Sequence, residues 1–265
     1  MDMNLEGKHA LVAGASQGIG LAAAQALAAL GCRVTLLARN AERLDAALGT
    51  LARRSADGAE LAHAVAVADF SAPETVATAA ADVAARGPVN ILVNNTGGPP
   101  AGLAHTAEVA AFQAAFEQHL ICNHLLAQAC IPGMRSSGYG RIVNVISTSV
   151  KIPLNGLGVS NTIRGAVANW AKTLANELGP DGITVNNVLP GPTRTARLDQ
   201  IAEGKAAKVG GTAQQALDAM AAAVPLKRLG DPEEVGAAVA FLASPAAAYI
   251  NGVNLPVDGG RTGCL

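Results

Sequence analysis

The stretch HALVAGASQGIG, residues 9–20, decides the fold of this chain. A short apolar run leads directly into a glycine-rich turn, and a helical pattern follows the turn. Glycine is needed where a backbone turns tightly against a phosphate, and the N-terminus of the next helix offers free N–H groups to that phosphate. The strand–turn–helix order therefore predicts a dinucleotide-binding unit. The residues predicted to bind the cofactor at this turn are Gly14, Ser16, Gln17, Gly18, Ile19 and Gly20.

Beyond this unit, short aliphatic runs alternate with longer alanine-rich helical stretches. This alternation predicts a Rossmann-type α/β fold, a doubly wound parallel sheet with helices on both faces. No linker divides the sequence, so residues 1–265 are predicted to form a single domain. The seven predicted strands are 9–14, 33–38, 63–68, 90–95, 141–146, 183–188 and 252–257. The predicted helices are 18–30, 41–54, 73–86, 106–136, 155–178 and 232–243.

One segment, residues 193–224, interrupts the alternation after the sixth strand. It is polar, contains glycine and is helix-prone. Open α/β sheets bind their ligands outside the carboxyl ends of the strands, where this segment begins. We therefore expect residues 193–224 to form a lid over the substrate.

Composition excludes several classes of protein. Hydrophobic residues make up 50% of the 265 residues, too many for a disordered chain. The net charge of −1 and the 3% aromatic content argue against a nucleic-acid partner. The four cysteines show no CxxC spacing, so no metal site is expected. No apolar run reaches the ~18 residues of a membrane span and no signal peptide is apparent, so we expect a cytoplasmic protein that does not enter a membrane.

The end of the second predicted strand bears on the choice of nucleotide. Arg39 stands near the position where a carboxylate would bind the ribose hydroxyls of NAD(H). A guanidinium group suits a 2′-phosphate instead, so NADP(H) is favoured over NAD(H), although a solvated surface arginine remains the alternative. Asp69 follows the third strand, where it would meet the adenine amino group or cap the next helix, although Ser71 is the better cap.

Several ordered motifs resemble those of the short-chain dehydrogenase/reductase family, and 3-oxoacyl-ACP reductases in particular. The resemblance covers nearly the whole chain and implies an NAD(P)-dependent oxidoreductase acting on a small-molecule substrate, assembled as a homotetramer or homodimer. It also implies that Asn95 and Gly97 border the cofactor, and that Pro190, Gly191, Thr193 and Thr195 flank the nicotinamide. The motifs lie at residues 13–20, 94–97, 140–147, 190–195, 225–235 and 257–260.

The catalytic positions depart from the family pattern of Asn, Ser, Tyr and Lys. Ser147 matches the serine, and the tyrosine normally lies thirteen residues later, which is Ser160 here. Arg164 then stands in place of the lysine and implies a contact with the cofactor ribose. Counting back from the family's PxM segment places His119 where the asparagine is expected, with Asn123 one helical turn further on. The YxxxK pair is therefore absent from this alignment.

These replacements change the chemistry available. A phenol titrates near ~10 before a lysine lowers its pKa, whereas an aliphatic hydroxyl such as Ser160 is a much weaker acid. Arg164 can bind the cofactor ribose and polarise a nearby group, but its guanidinium stays protonated and does not readily relay a proton. His119, with a reference pKa of ~6.5, and Lys151, in the loop after Ser147, are the candidate proton donors. Packing of His119 within its helix and solvation of Lys151 are the open alternatives.

Three hypotheses follow for the activity. The first is an NADP(H)-dependent oxidoreductase that uses an altered proton donor on a carbonyl or alcohol substrate. The second is a catalytically silent nucleotide-binding homologue, suggested by the joint loss of Tyr and Lys. The third is a cofactor-bound enzyme of another reaction class, such as a lyase or epimerase.

Overall fold

Seven parallel strands form one sheet at the centre of the protein, in the order β3-β2-β1-β4-β5-β6-β7. The computed structural model describes residues 1–264, apart from the side chains of residues 208 and 209. Strands β1 to β7 are His9–Ala13, Arg33–Ala38, Ala64–Val67, Ile91–Asn94, Gly140–Val145, Ile183–Pro190 and Asn254–Val257. The predicted seven-stranded, doubly wound α/β sheet is confirmed.

Helices cover both faces of this sheet. Helices α1 to α9 are Gly18–Ala29, Ala41–Leu48, Pro73–Ala85, Val109–Phe116, Cys122–Ser136, Gly158–Leu178, Ala196–Val209, Ala213–Ala222 and Pro232–Ala243. A π-helical segment, Glu117–Ile121, joins α4 to α5. None of the described helices combines the length and apolar character needed to cross a membrane.

Two apolar layers hold the helices to the sheet. On one face, α1 and α9 pack so closely that a Cβ atom on Gly236 would lie 2.8 Å from the Ala22 carbonyl carbon. On the other face, α3, α5 and α6 contribute fully buried side chains such as Leu126 and Met134. The interior strand β1 is buried along its whole length, as expected for a parallel strand covered on both faces.

Three predicted helices were wrong in their bounds. The predicted helix 106–136 is two α-helices with a π-helical segment between them, which an α-helical period does not reveal. Helix α2 ends at Leu48 rather than residue 54, with Gly49 at its C-cap, and an isolated antiparallel bridge joins Arg54 to Glu60 beyond it. Helix α6 begins at Gly158 rather than residue 155. The preceding loop is held by a hydrogen bond that the Asn161 side-chain amide donates to the Leu154 carbonyl (2.9 Å).

The sheet topology determines where a ligand can bind. Strand β1 pairs with β2 on one side and β4 on the other, so the strand order reverses between β1 and β4. A crevice opens at such a switch point, outside the carboxyl ends of the strands. Most residues predicted to bind the cofactor follow those ends; Pro190 is the last residue of β6, and Arg164 lies on α6. Residues 193–224, the predicted lid, form α7 and α8 immediately beyond β6.

Candidate active site and nucleotide cleft

The turn between β1 and α1 requires glycine at two points. Gly14 has a φ of +60°, and a Cβ atom there would lie 2.5 Å from the Asn95 carbonyl oxygen. A Cβ atom on Gly20 would overlap the Gly14 carbonyl group. Side chains are therefore excluded where the backbone folds back on itself, and the surface facing the crevice stays open.

The N-terminus of α1 is available to an anion. Gln17 occupies the cap position in an extended conformation, and among the described residues its side chain makes no capping hydrogen bond. The first N–H groups of the helix and its dipole therefore face the crevice uncompensated. Across the crevice, a Cβ atom on Gly97 would meet nothing within 4 Å apart from its chain neighbours. Both observations fit the pyrophosphate and nicotinamide ribose of a dinucleotide.

Asparagine side chains tie four neighbouring strands of the sheet together. Asn94 donates to Asn144 (2.8 Å), Asn144 to Asn187 (2.9 Å) and Asn187 to Asn254 (2.8 Å). Asn95 reaches back to the Gly14 carbonyl oxygen (3.3 Å) and so joins β4 to the glycine turn. This ladder runs across four strands and fixes the floor of the crevice, a role that the motif at residues 94–97 only partly indicated.

The β2 side of the cleft carries two exposed arginines. Arg39 follows β2 directly, and Arg43 in the first turn of α2 donates to the Gln17 amide oxygen (3.4 Å). Asp69 accepts from the Ser71 backbone N–H (2.9 Å) and hydroxyl (2.7 Å), and these bonds hold the pKa of its carboxyl below the ordinary value. Ser71 does not cap α3 as predicted, because the helix begins after Ala72 and the Ser71 hydroxyl bonds to Asp69.

The loop after β5 carries the candidate catalytic serine. Ser147 is half-buried, and its oxygen accepts a hydrogen bond from the Ser149 backbone N–H (3.1 Å), which leaves its O–H free to donate elsewhere. Lys151 closes the short 3-10 helix that follows and is exposed. Ser160 is half-buried on α6, one turn before Arg164 and on the same side of the helix.

Arg164 is a buried cation at the carboxyl ends of β4 and β5. Its guanidinium group donates to the Val145 carbonyl (3.2 Å) and to the Thr96 carbonyl (3.4 Å). Burial, together with the positive charge of Arg197, lowers the pKa of Arg164 to about 10. The side chain is therefore still protonated at neutral pH, and a charge stands at the base of the crevice.

His119 lies in the π-helical segment and is fully buried. Its Nδ1 pairs with the Thr96 hydroxyl, so Thr96 contacts both His119 and Arg164. Among the described residues its Nε2 has no partner, and the same holds for the amide oxygen of buried Asn123. Burial and the nearby Arg164 charge lower the pKa of His119 to about 2, far from the reference value that suggested an imidazolium acid.

The burial of His119 predicts a pH dependence of stability. Its folded pKa is about 2, whereas an unfolded histidine titrates near ~6.5. Below that value the unfolded chain binds a proton that the folded chain does not, so stability falls as the pH drops, by about 1.4 kcal/mol per pH unit. We expect His119→Asn to reduce the slope of the unfolding free energy against pH by up to the equivalent of one bound proton. Denaturant titrations between about pH 6 and pH 4 measure this slope.

The control for this prediction is His105→Asn, which removes an exposed histidine and should leave the slope unchanged. The pKa of buried His9 is lowered to about 4, so His9 also makes the protein less stable as the pH falls. Both variants therefore retain part of the dependence of stability on pH. A His119→Asn slope equal to that of the wild type would show that His119 is protonated in the folded protein.

The β6 end of the cleft is close-packed. A Cβ atom on Gly191, which follows Pro190, would lie 2.7 Å from the Asp258 Cα. Buried Thr193 donates to the Gly191 carbonyl (3.1 Å), and Thr195 caps α7. A Cβ atom on Gly18 would lie 3.3 Å from the Thr195 methyl group, so the start of the predicted lid segment borders the glycine turn.

Three side chains at the cleft were not singled out from the sequence. They are Thr96, Arg43 and Arg197, and Arg197 donates to the Pro99 carbonyl (2.6 Å) from the first turn of α7. Both tyrosines lie elsewhere, as expected: the Tyr139 hydroxyl donates to the Ala243 carbonyl (2.7 Å) before β5 begins, and Tyr249 is fully exposed. His105 is exposed in a short 3-10 helix.

Comparisons with known proteins agree with this architecture. A family model described as enoyl-(acyl carrier protein) reductase matches residues 14–262. The 3-oxoacyl-[acyl-carrier-protein] reductase FabG of Vibrio cholerae is 36% identical over 260 residues, covering 97% of this chain and 98% of the relative. The short-chain reductase protein NovJ of Streptomyces niveus is 33% identical over 254 residues, covering 95% of this chain and 93% of that protein.

Solved structures of reductases share the fold of this chain. The L-sorbose reductase of Gluconobacter frateurii, in complex with NADPH and L-sorbose, superposes with a TM-score of 0.90 at 32% identity and full coverage of both chains. The match of the family model to nearly the whole chain and the length of these alignments place the protein within one family. This chain belongs to the short-chain dehydrogenase/reductase family.

Proposed function

We propose that this protein is an NADP(H)-dependent oxidoreductase that interconverts a carbonyl compound and an alcohol at an altered active site. The glycine turn, the free N-terminus of α1 and the open surface at Gly97 support dinucleotide binding. Relatives described as reductases, and the solved L-sorbose reductase with NADPH, support the reaction class. In this proposal α7 and α8 cover the substrate.

The observation that carries the proposal is the position of the Arg164 guanidinium group. It is buried, protonated and held by the Thr96 carbonyl, just beyond β4, and by the Val145 carbonyl at the end of β5. Val145 lies two residues before Ser147 in the chain. A fixed positive charge at this point stabilises negative charge that develops on a substrate oxygen. Arg164 thereby takes over the electrostatic part of the missing Tyr–Lys pair, while it gives up no proton.

When bound, NADPH supplies a hydride to the carbonyl carbon, and the carbonyl π pair moves onto the oxygen. The Ser147 hydroxyl donates a hydrogen bond to that oxygen, and Arg164 stabilises its charge. His119 stays a neutral imidazole, and its Nδ1 pairs with the hydroxyl of Thr96, whose carbonyl accepts from Arg164. Its imidazolium form is not populated near pH 7, so the proton that completes the alcohol comes from exposed Lys151, in exchange with solvent.

The preference for NADP(H) is tested by Arg39→Ala. Loss of a charge-assisted hydrogen bond to the 2′-phosphate costs about 1.5–3 kcal/mol, so the Kd for NADPH should rise roughly 10- to 100-fold. The Kd for NADH, measured by the same fluorescence titration, should not change. Arg53→Ala removes another exposed arginine and serves as the control. Equal weakening of both nucleotides would contradict the assignment of Arg39.

One observation favours a second candidate, a catalytically silent nucleotide-binding protein. His119 has its pKa lowered to about 2, and Ser160, an aliphatic hydroxyl, stands where the family tyrosine would. Assaying NADPH oxidation against a broad panel of carbonyl compounds separates the two proposals. Turnover by the wild type rejects the silent protein. An inactive wild type that gains activity in the double variant Ser160→Tyr/Arg164→Lys rejects the altered oxidoreductase.

A further inference from the structure

Two guanidinium groups converge on one point in the candidate site. A Cβ atom built on Gly98 would lie 3.8 Å from Nη2 and 3.9 Å from Nε of Arg197, and 3.9 Å from Nη2 of Arg164. Apart from the adjoining residues, these three nitrogens are the nearest heavy atoms to that point. Because residue 98 is glycine, no side chain occupies the space between the two cations.

Within the described part of the chain, neither cation is paired with a carboxylate. The hydrogen bonds of Arg164 end on the Val145 and Thr96 carbonyls, and that of Arg197 ends on the Pro99 carbonyl. The ion pairs found among the described residues involve other arginines: Arg135, Arg194 and Arg228. Each guanidinium has five N–H donors, so both retain several donors for a ligand.

The electrostatics of this arrangement call for an anion. Arg164 is buried, and the neighbouring charge of Arg197 lowers its pKa, which shows that the two cations repel each other. Holding a second positive charge beside a buried cation is costly unless an opposite charge is bound between them. A carboxylate matches guanidinium donors in shape and charge, and it forms short, paired hydrogen bonds with them.

The position of Arg197 separates this point from the phosphate site. The pyrophosphate of a dinucleotide fits the N-terminus of α1, whereas Arg197 lies two residues beyond Thr195, inside the first turn of α7, and reaches the loop at Pro99. Thr96 connects this region to His119, because its hydroxyl pairs with Nδ1 of His119 and its carbonyl accepts from Arg164. The two cations are therefore held at the loop after β4, apart from the N-terminus of α1.

We propose that the substrate is a small keto acid, or the corresponding hydroxy acid, whose carboxylate is bound between Arg164 and Arg197 over Gly98. This inference rests on the proposed function, because it assigns the substrate class of that same reaction. Bound in this way, the carboxylate orients the neighbouring carbonyl towards Ser147 and the nicotinamide face of the cleft. The lid helix α7 carries Arg197, so binding of the acid also draws the lid towards the loop at residues 97–100.

The kinetic test compares α-keto and β-keto acids with their methyl esters. The wild type should favour the acids, and Arg197→Gln should reduce that preference in kcat/KM by about 100-fold while the Kd for NADPH stays unchanged. Arg197→Lys should recover part of the preference, and Arg135→Gln, which removes a distant exposed arginine, should leave it intact. Equal losses for acid and ester, or a raised Kd for NADPH, would overturn the inference and assign Arg197 to structure or to the nucleotide phosphates.

A second test needs no catalysis. Gly98→Asp places a carboxylate between the two guanidinium groups, and Gly98→Asn places a neutral group of the same shape there. We expect the aspartate variant to melt about 3 °C above the asparagine variant and to lose calorimetric binding of the keto acid. No difference between the variants would reject the anion site. An active enzyme without acid preference would reject this inference alone, whereas NADPH binding without any turnover would reject the proposed function.

Discussion

Arg164→Met is expected to lower kcat/KM about 100- to 1000-fold, the loss seen when one donor to a developing oxyanion is removed. The reason is local: the buried Arg164 guanidinium group donates to the carbonyl of Val145, two residues before Ser147, and to the carbonyl of Thr96. Methionine keeps the length and apolar packing of the side chain but removes the charge and every donor. Steady-state assays with the best carbonyl substrate measure the loss.

The fold of the variant has to be separated from its chemistry. Two buried carbonyls, those of Val145 and Thr96, lose their donor in Arg164→Met, and each costs about 1–3 kcal/mol of stability. Arg164→Lys, which keeps the charge, should retain more activity than the methionine variant at similar stability. Near-wild-type kcat/KM in a folded Arg164→Met protein would remove Arg164 from the mechanism.

Gly20→Ala is expected to weaken NADPH binding by roughly 10- to 100-fold. The added methyl group would overlap the Gly14 carbonyl, so the turn must open to accommodate it. Overpacking of this kind costs about 1–3 kcal/mol of free energy. Opening moves the first N–H groups of α1 away from the pyrophosphate. Both the Kd for NADPH and the melting temperature should change.

Gly204→Ala is the matched control for that substitution. Gly204 lies inside α7, is exposed, and its added Cβ would meet nothing within 4 Å. Alanine there should stabilise the helix by about 0.5–1 kcal/mol and leave the Kd unchanged. Unaltered NADPH affinity in a folded Gly20→Ala protein would mean that the nucleotide does not bind at this turn.

The sequence predicted the features that depend on neighbours along the chain. Strand β2 was placed at its observed bounds, and Gly14 and Gly20 were identified because a tight turn excludes side chains at fixed spacing. Ser147 and Arg164 were found by counting from these motifs, and the structure brings both to the carboxyl ends of the sheet. Periodicity and turn chemistry carry this information locally.

The features that were missed depend on packing between distant segments. Arg197 stands in a polar, helix-prone stretch, and only the approach of α7 to the loop at Pro99 brings it to Arg164. Thr96 joins His119 to Arg164 across three separate elements. The pKa of His119 was expected near its reference value because sequence does not report burial. Tertiary contacts therefore decide the electrostatics of the site.

Transfer of deuterium from NADPH labelled on the nicotinamide ring tests the central claim most directly. The wild-type protein is incubated with a panel of charged and neutral carbonyl compounds, and the products are examined by mass spectrometry. The account predicts an alcohol that carries one deuterium on the former carbonyl carbon, formed in step with NADP+. Bound NADPH that is never oxidised, or a product that forms without label, would contradict it.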